Sequence, residues 1–125
     1  MKILLDTNFI LSCIKQKIDF FSLANELFDE KLEWIVPCEV LGELKELGER
    51  VGEKTPDKEA ANVGLEFVKL IKAQEVDLGD PVVDNGIVNY ANKHAVVVAT
   101  MDKELKKRLN SKIFTIRAKK GLEIV

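Results

Sequence analysis

The run AVVVAT at residues 95–100 limits the fold of this 125-residue chain more than any other segment. It is rich in β-branched residues and carries no charge, so it predicts a strand that is buried on both faces. Similar short apolar runs stand at residues 2–5 (KILL), 33–36 (EWIV) and 113–116 (IFTI), and residues 122–125 (LEIV) have the pattern of an edge strand. Helical patterns separate these runs, which predicts a three-layer α/β/α fold around a mostly parallel sheet.

The helical segments are marked by start signals of known kinds, namely capping residues and prolines. The signals for five helices stand at Thr7 or Asn8, at Asp19, at Pro37, at Thr55–Pro56 and at Asp80–Pro81. Leu105 and Leu109 mark a short sixth helix. Because open α/β sheets place their sites beyond the carboxyl ends of the strands, the residues that directly follow each strand are the first candidates for function.

Length and composition exclude several classes of protein. A chain of 125 residues is shorter than a typical domain of ~150 residues, so we expect one domain over residues 1–125. No apolar run approaches the ~20 residues of a membrane span, and the start MKILLD reaches an acid at residue 6. We therefore expect a cytoplasmic protein with no membrane partner and with Cys13 and Cys38 as reduced, buried small hydrophobic residues.

Charge is distributed unevenly along the chain. The net charge is −2, but residues 101–125 carry 8 Lys and Arg against 3 Asp and Glu, whereas residues 1–100 carry 11 against 18. An acidic body with a basic C-terminal part allows one surface to hold cations while another contacts phosphates.

Three aspartates stand where a plain core or surface role explains them poorly. Asp6 directly follows the first predicted strand, and Asp102 follows AVVVAT by two residues. Asp84 falls inside the apolar arc that Val83 and Ile87 make on their predicted helix. A carboxylate on a buried face costs several kcal/mol unless it is neutralised, paired with a cation or bound to metal.

Glu43 is a fourth candidate, because it borders the apolar stripe of the third helix and can face either solvent or a cleft. Each acid also has an ordinary explanation when it is taken alone. Asp84 and Asp102 could cap helices, Asp6 could be a turn residue, and Glu43 could be a surface acid. Four acids at one predicted edge of the sheet favour a common site.

Acids that converge without His or Cys predict a particular chemistry. Hard oxygen ligands select Mg²⁺ or Mn²⁺ over zinc or copper, and Mg²⁺ prefers substrate phosphates among its remaining ligands. Such ions can activate water and neutralise charge on a phosphodiester, so no side-chain nucleophile is required.

Four segments around these acids resemble the acidic motifs of the PIN domain family, a metal-dependent nuclease fold. They are LLDTNFIL, VLGEL, VDNGIVNYA and ATMDKELKKRL, they follow the family's order, and the resemblance spans residues 3 to about 109. The chain is similar in particular to small archaeal PIN proteins grouped with VapC-type toxins and with endonucleases that process ribosomal RNA.

The resemblance implies an endoribonuclease that hydrolyses single-stranded RNA with Mg²⁺ or Mn²⁺. It implies that the catalytic metal ligands are Asp6, Glu43, Asp84 and Asp102, with polar support from Thr7, Asn8 and Thr100. It also implies a homodimer, and as partners either a cognate antitoxin or ribosome-assembly factors. Met101 is a departure, because many relatives carry Asn or another polar residue there, which affects a second metal more than the first.

The basic C-terminal region fits an RNA substrate. Lys103, Lys106 and Lys107 share one face of the short helix after Asp102, opposite Leu105, and are the predicted phosphate contacts. Further basic residues that could extend this face are Lys112, Arg117, Lys119 and Lys120. A plain solvated helix face is the alternative for each lysine.

Two other functions compete with a nuclease. A phosphatase of the haloacid dehalogenase type also begins with a strand and an Asp, but it needs a second Asp two residues later, where this chain has Asn8. The other is a catalytically weak or inactive PIN-like module that binds RNA or a protein partner. The presence of all four acids argues against that module, because a module without a metal site gains nothing from clustered negative charges.

Overall fold

The computed structural model describes residues 1–52, 55–117 and 121–125, and these form a six-stranded sheet with helices on both faces. The strands are β1 Lys2–Leu5, β2 Glu33–Pro37, β3 Gln74–Val76, β4 Val96–Ala99, β5 Ile113–Arg117 and β6 Gly121–Ile124. Their order in the sheet is β3-β2-β1-β4-β5-β6, and β6 alone runs antiparallel to its neighbour. The predicted α/β fold with a mostly parallel sheet is confirmed.

The helices divide between the two faces of the sheet. They are α1 Thr7–Lys15, α2 Phe20–Leu27, α3 Cys38–Gly48, α4 Pro56–Leu70, α5 Val83–Lys93 and α6 Lys103–Arg108. The larger core includes Phe9, Phe20, Val40 and Val68, so α1 to α4 cover one face. A smaller core contains Ile87 of α5 and Leu105 of α6, which cover the other face. None of the helices in the described ranges has the length and hydropathy of a membrane span.

Strand β4 is buried on both faces, as its sequence predicts. Val97 and Ala99 pack into the larger core, whereas Val96 and Val98 pack into the smaller one. This alternation is the pleat of a central parallel strand, whose successive side chains enter opposite layers.

The order of the strands creates a reversal point beside β1. The chain moves outward from β1 through β2 to β3, and then returns to place β4 on the other side of β1. The backbone N–H of Asp6 donates to the carbonyl of Ala99 at 3.0 Å, which joins the carboxyl ends of these two strands. Ligands of open α/β sheets bind in the crevice at such a point.

Several element ends differ from the sequence predictions. Helix α1 is capped by Asp6 and not by Thr7 or Asn8, whereas the caps at Asp19 and Thr55 are confirmed. Helix α5 begins at Val83, because Asp80 accepts a hydrogen bond from the Val82 N–H and closes a turn before it. Strand β3 was not predicted, because it has only three residues and two of them, Gln74 and Glu75, are polar and exposed.

Candidate metal centre

Asp6 is the most buried acid at the carboxyl edge, with 5% of its surface exposed. It directly follows β1, and both of its carboxylate oxygens are held. Oδ1 accepts a hydrogen bond from the backbone N–H of Thr7 at 2.8 Å, and Oδ2 accepts one from Thr100 Oγ1 at 2.7 Å. The carboxylate is therefore fixed in direction at the reversal point.

Burial raises the pKa of Asp6 from 3.8 to about 6. The hydrogen bonds from Thr100 and Thr7 work in the opposite direction, and the negative charges of Asp84 and Glu43 raise the pKa further. Asp84 and Glu43 thus lie close enough to Asp6 to repel its charge. Repulsion that survives in a folded structure indicates a site suited to a cation.

Glu43 reaches the edge from α3. Its Oε1 accepts a hydrogen bond at 2.7 Å from Thr7 Oγ1, and its side chain is otherwise exposed. Thr7 therefore contacts two of the predicted acids, Asp6 through its backbone N–H and Glu43 through its hydroxyl. Its predicted supporting role corresponds to these two contacts.

Asn8 and Thr100 connect α1 to the segment after β4. Asn8 Oδ1 accepts a hydrogen bond from the Met101 N–H at 2.9 Å, and Thr100 Oγ1 accepts one from the Asp102 N–H at 3.1 Å. These polar side chains thus fix the backbone on which Asp102 stands. Met101 itself is half-buried and packs against the larger core, so its side chain serves packing.

Asp102 caps α6, as one of the ordinary explanations for it proposes. Its Oδ1 accepts hydrogen bonds from the backbone N–H groups of Glu104 at 2.9 Å and Leu105 at 3.2 Å. Within the described residues its Oδ2 makes no hydrogen bond, so that oxygen can face a ligand. Capping therefore uses one oxygen of this carboxylate and leaves the other available for a ligand.

Asp84 lies in the first turn of α5 and is half-buried. Its neighbour Val83 and the buried Ile87 pack against the smaller core. The sequence places Asp84 inside the apolar arc, and a half-buried position agrees with this. Its charge acts on Asp6, which brings it to the same edge of the sheet.

Asp84 and Glu43 lie near Asp6, and the backbone of Asp102 is joined to Asp6 through Thr100, but the four acids do not form a tight cage. In the described part of the chain, the acidic and thiol side chains compact enough to hold an ion directly are Cys38, Glu39 and Asp77, with ligand atoms within 4.8 Å of one another. The four predicted acids do not form a set this compact. Such spacing fits Mg²⁺, which keeps several waters and binds through one or two carboxylates plus substrate phosphates.

Among the described residues, no cation forms an ion pair with any of the four acids. Across residues 1–52, 55–117 and 121–125, the ion pairs involve other carboxylates, those of Glu30, Asp57 and Glu104. The donor set consists of carboxylate oxygens, which are the ligands that Mg²⁺ and Mn²⁺ prefer. The residues present therefore fit a hard divalent cation.

The predicted basic face is less uniform than the sequence indicates. Lys103 and Lys107 are exposed, and Lys107 Nζ lies 3.5 Å from Glu104 Oε1. Lys106 is half-buried, and its Nζ donates to Thr115 Oγ1 at 3.0 Å. Lys112 and Arg117 are exposed, and Lys119 and Lys120 lie outside the described residues.

Arg108 is a cation that the sequence reasoning missed. It donates a hydrogen bond at 2.6 Å to Asn85 Oδ1, the residue next to Asp84. Arg108 lies five residues after Lys103, inside the segment ATMDKELKKRL, and has no predicted role there. Its contact brings a positive charge from α6 to the first turn of α5.

The structure is that of an α/β protein with a site for a hard cation. Carboxylates that pair with no described cation lie at the reversal point of its open sheet. The chain belongs to the PIN-like domain family, whose profile matches residues 3–119. The family resemblance drawn from the sequence is thereby confirmed.

Individual relatives agree with this assignment. The chain is 35% identical over 127 residues to Ribonuclease VapC4 of Methanocaldococcus jannaschii, covering 98% of this chain and 95% of that protein. Among solved structures, the PIN domain endonuclease Utp24 is similar with a TM-score of 0.81 and 25% identity, covering 98% of this chain and 90% of that one. VapBC2 from Rickettsia felis, bound to a DNA fragment from their promoter, is similar in fold with a TM-score of 0.68 and 18% identity, covering 94% and 100%.

Proposed function

We propose that this protein is a Mg²⁺- or Mn²⁺-dependent endoribonuclease that hydrolyses phosphodiester bonds of single-stranded RNA. One observation carries the proposal: Asp6 is buried at the reversal point of the sheet and is repelled by Asp84 and Glu43. No cation among the described residues pairs with these acids. Similarity to a protein named as a ribonuclease supports the choice of RNA as substrate.

In this mechanism, the protein's side chains bind the ion and orient one another. Asp6, Glu43, Asp84 and Asp102 would hold the ion, which when bound supplies an activated water and neutralises charge on the phosphate. Thr100 and Thr7 fix the direction of the Asp6 carboxylate through their hydrogen bonds. Such preorganisation matters because carboxylates that are already oriented need no rearrangement during the reaction.

The basic residues of α6 supply the contacts to RNA. Lys103 and Lys107 are exposed and lie within one turn and a half of Asp102, so a backbone that crosses the metal centre passes them. Lys106, which donates to Thr115, and Arg108, which donates to Asn85, add positive charge to the same helix. These contacts attract phosphates irrespective of sequence.

Two biological roles are consistent with the proposed activity. The resemblance to VapC-type toxins, supported by 35% identity to Ribonuclease VapC4, favours a toxin with a cognate antitoxin. The resemblance to endonucleases that process ribosomal RNA, supported by similarity to the endonuclease Utp24, favours ribosome-assembly factors as partners. A homodimer and a cytoplasmic location belong to the same proposal. The alternative function is a weak or inactive PIN-like module that binds RNA or protein.

A cleavage assay tests the proposal. We expect the wild type to cut a labelled single-stranded RNA with Mg²⁺ or Mn²⁺, to stop in EDTA, and to lose nearly all turnover as Asp6→Asn or Asp102→Asn. Asp19→Asn is the matched control, because Asp19 is also a helix cap but lies at the start of α2, away from the acids. Undiminished cutting by Asp6→Asn would refute the mechanism.

Ion-dependent unfolding separates the nuclease from the binding module. A protein that binds Mn²⁺ in its native state gains thermal stability with the ion concentration. We expect this gain in the wild type and in Asp19→Asn but not in Asp6→Asn. A binding module without a metal centre would show the same unfolding temperature with and without Mn²⁺ in all three.

A further inference from the structure

The segment between β3 and α5 determines where Asp84 stands, and α5 does not fix this segment by itself. The N-cap of α5 is Val82, whose side chain makes no capping hydrogen bond. Contacts of residues 77–82 with the rest of the protein, together with the packing of Ile87 in the smaller core, therefore set the direction in which α5 begins.

Glu39 provides such contacts from α3. Its Oε1 accepts a hydrogen bond from the Leu78 N–H, and its Oε2 accepts one from the Gly79 N–H, both at 3.1 Å. These bonds connect residues that are 39 and 40 positions apart in the sequence. Partial burial opposes ionisation of Glu39, but the hydrogen bonds it accepts outweigh this effect and hold its pKa below the usual range.

The anchored segment is packed tightly against α5. A Cβ atom on Gly86 would lie 2.8 Å from Leu78 Cβ, so only glycine permits this approach. Gly86 stands two residues after Asp84. The path from the Glu39 carboxylate to Asp84 therefore runs through two backbone hydrogen bonds and one close contact.

Helix α3 also carries Glu43, one turn after Glu39. Because residues four apart lie on the same helix face, the two acids project toward the same edge of the sheet. Glu43 contacts Thr7 beside Asp6, and Glu39 contacts the segment before Asp84. Helix α3 thus contacts both the residues beside Asp6 and the segment that precedes Asp84.

Glu39 belongs to the compact group with Cys38 and Asp77, but its geometry favours a supporting role over a second metal site. Both of its oxygens already accept backbone N–H groups, and Asp77 Oδ1 accepts the Gly79 N–H at 2.8 Å. An ion at this group would have to displace these hydrogen bonds.

We propose that Glu39 is a positioning residue, which holds Asp84 at the metal centre through the backbone of Leu78 and Gly79. This inference rests on the proposed function for its consequence in catalysis. Its structural part, the anchoring of residues 77–86, stands without it.

Hydrogen exchange of the metal-free protein tests the anchoring. In Glu39→Ala we expect the amides of Leu78 and Gly79 and the first turn of α5 to exchange about tenfold faster or more, since two hydrogen bonds to a carboxylate are lost. Glu39→Gln keeps one acceptor oxygen and should restore part of the protection. Glu46→Ala, an exposed acid on the same helix, is the matched control and should change nothing there.

Measurements of metal affinity and turnover test whether this anchoring affects the metal centre. We expect Glu39→Ala to bind Mn²⁺ about tenfold more weakly in a direct titration and to lower kcat with little change in the KM for RNA. In an Asp84→Asn background the same change should cause no further loss of Mn²⁺ affinity, because contacting or coupled residues are not additive.

The outcomes separate the two proposals. Unchanged exchange of α5 in Glu39→Ala overturns the positioning role, and so does a full additional loss of Mn²⁺ affinity in the Asp84→Asn background. A wild type that binds Mn²⁺ but does not cut RNA refutes the proposed function alone, because the exchange and titration results still decide the role of Glu39.

Discussion

Asp6 carries a carboxylate in a place where water is largely excluded. Both of its oxygens accept hydrogen bonds, yet burial dominates and raises its pKa to about 6. The folded state therefore binds a proton more tightly than the unfolded chain, in which the pKa is 3.8. Without a cation, ionisation of Asp6 therefore lowers the free energy of unfolding, and this loss is complete above about pH 6.

The pH dependence of stability follows from this shift. As pH rises from about 4 to 6, the folded protein must release a proton that the unfolded chain has already lost, so the Asp6 contribution falls by up to about 3 kcal/mol. Below pH 4 both states hold the proton, and above pH 6 neither does. We expect metal-free Asp6→Asn to gain in free energy of unfolding relative to wild type across pH 4 to 6 and to level off above.

Urea unfolding in EDTA from pH 3.5 to 8 measures this difference. Other carboxylates titrate in both proteins, so the comparison isolates Asp6. Asp19→Asn controls for the substitution itself. A difference between Asp6→Asn and wild type that does not vary with pH would contradict the prediction.

For the helices and strands, contacts within one segment of the chain could be predicted from the sequence, whereas contacts between two distant segments could not. The caps at Asp19 and Thr55 use a side chain and a backbone group three residues apart, so the sequence contains both partners. The contact between Glu39 and Gly79 joins distant segments, and no local pattern contains it. The sequence therefore predicted the helix of Asp84 but not what holds that helix in place.

Gly86 tests how closely α5 must approach the segment before it. In Gly86→Ala the new methyl group would meet Leu78, so we expect a loss of about 1–3 kcal/mol in free energy of unfolding and a weaker Mn²⁺ affinity. Gly42 is also helical but has open space around its Cβ position. Gly42→Ala should instead stabilise the protein by about 0.5–1 kcal/mol, since alanine is the better helix former.

Chemical unfolding of the two alanine variants beside wild type checks this pair. The sign of the change should differ between two substitutions of the same type in two helices. If both variants gain stability, the space between α5 and Leu78 admits a methyl group. The position of Asp84 then does not depend on the close contact between Gly86 and Leu78.

At the scale of the molecule, the strand pattern predicted the edge at which the acids meet. Parallel strands place their carboxyl ends together, so Asp6 and Asp102 had to share an edge once β1 and β4 were neighbours. The distances among the acids depend on loops and helix positions that the pattern does not contain, and these proved wider than a direct cage. One domain over residues 1–125 stays a prediction.

The same edge carries the charge that RNA would meet. Lys103 and Lys107 are exposed on α6, directly after Asp102, so each should neutralise a phosphate of a bound strand. For single strands, each such contact contributes about 0.7 to the slope of log affinity against log salt. Lys103→Gln plus Lys107→Gln should therefore reduce that slope by about 1.4 and weaken RNA binding, while Mn²⁺ affinity stays the same.

Fluorescence titrations of a labelled RNA at several salt concentrations, with Ca²⁺ in place of the active ion if cleavage interferes, measure the slope. The control is Lys2→Gln plus Lys93→Gln, since both lysines are exposed, Lys2 at the start of β1 and Lys93 at the end of the helix that leads into β4. That position is the amino edge of the sheet, opposite the acids. Equal slopes for the two double variants would show that RNA does not follow α6, because charge removed from either edge would then have the same effect.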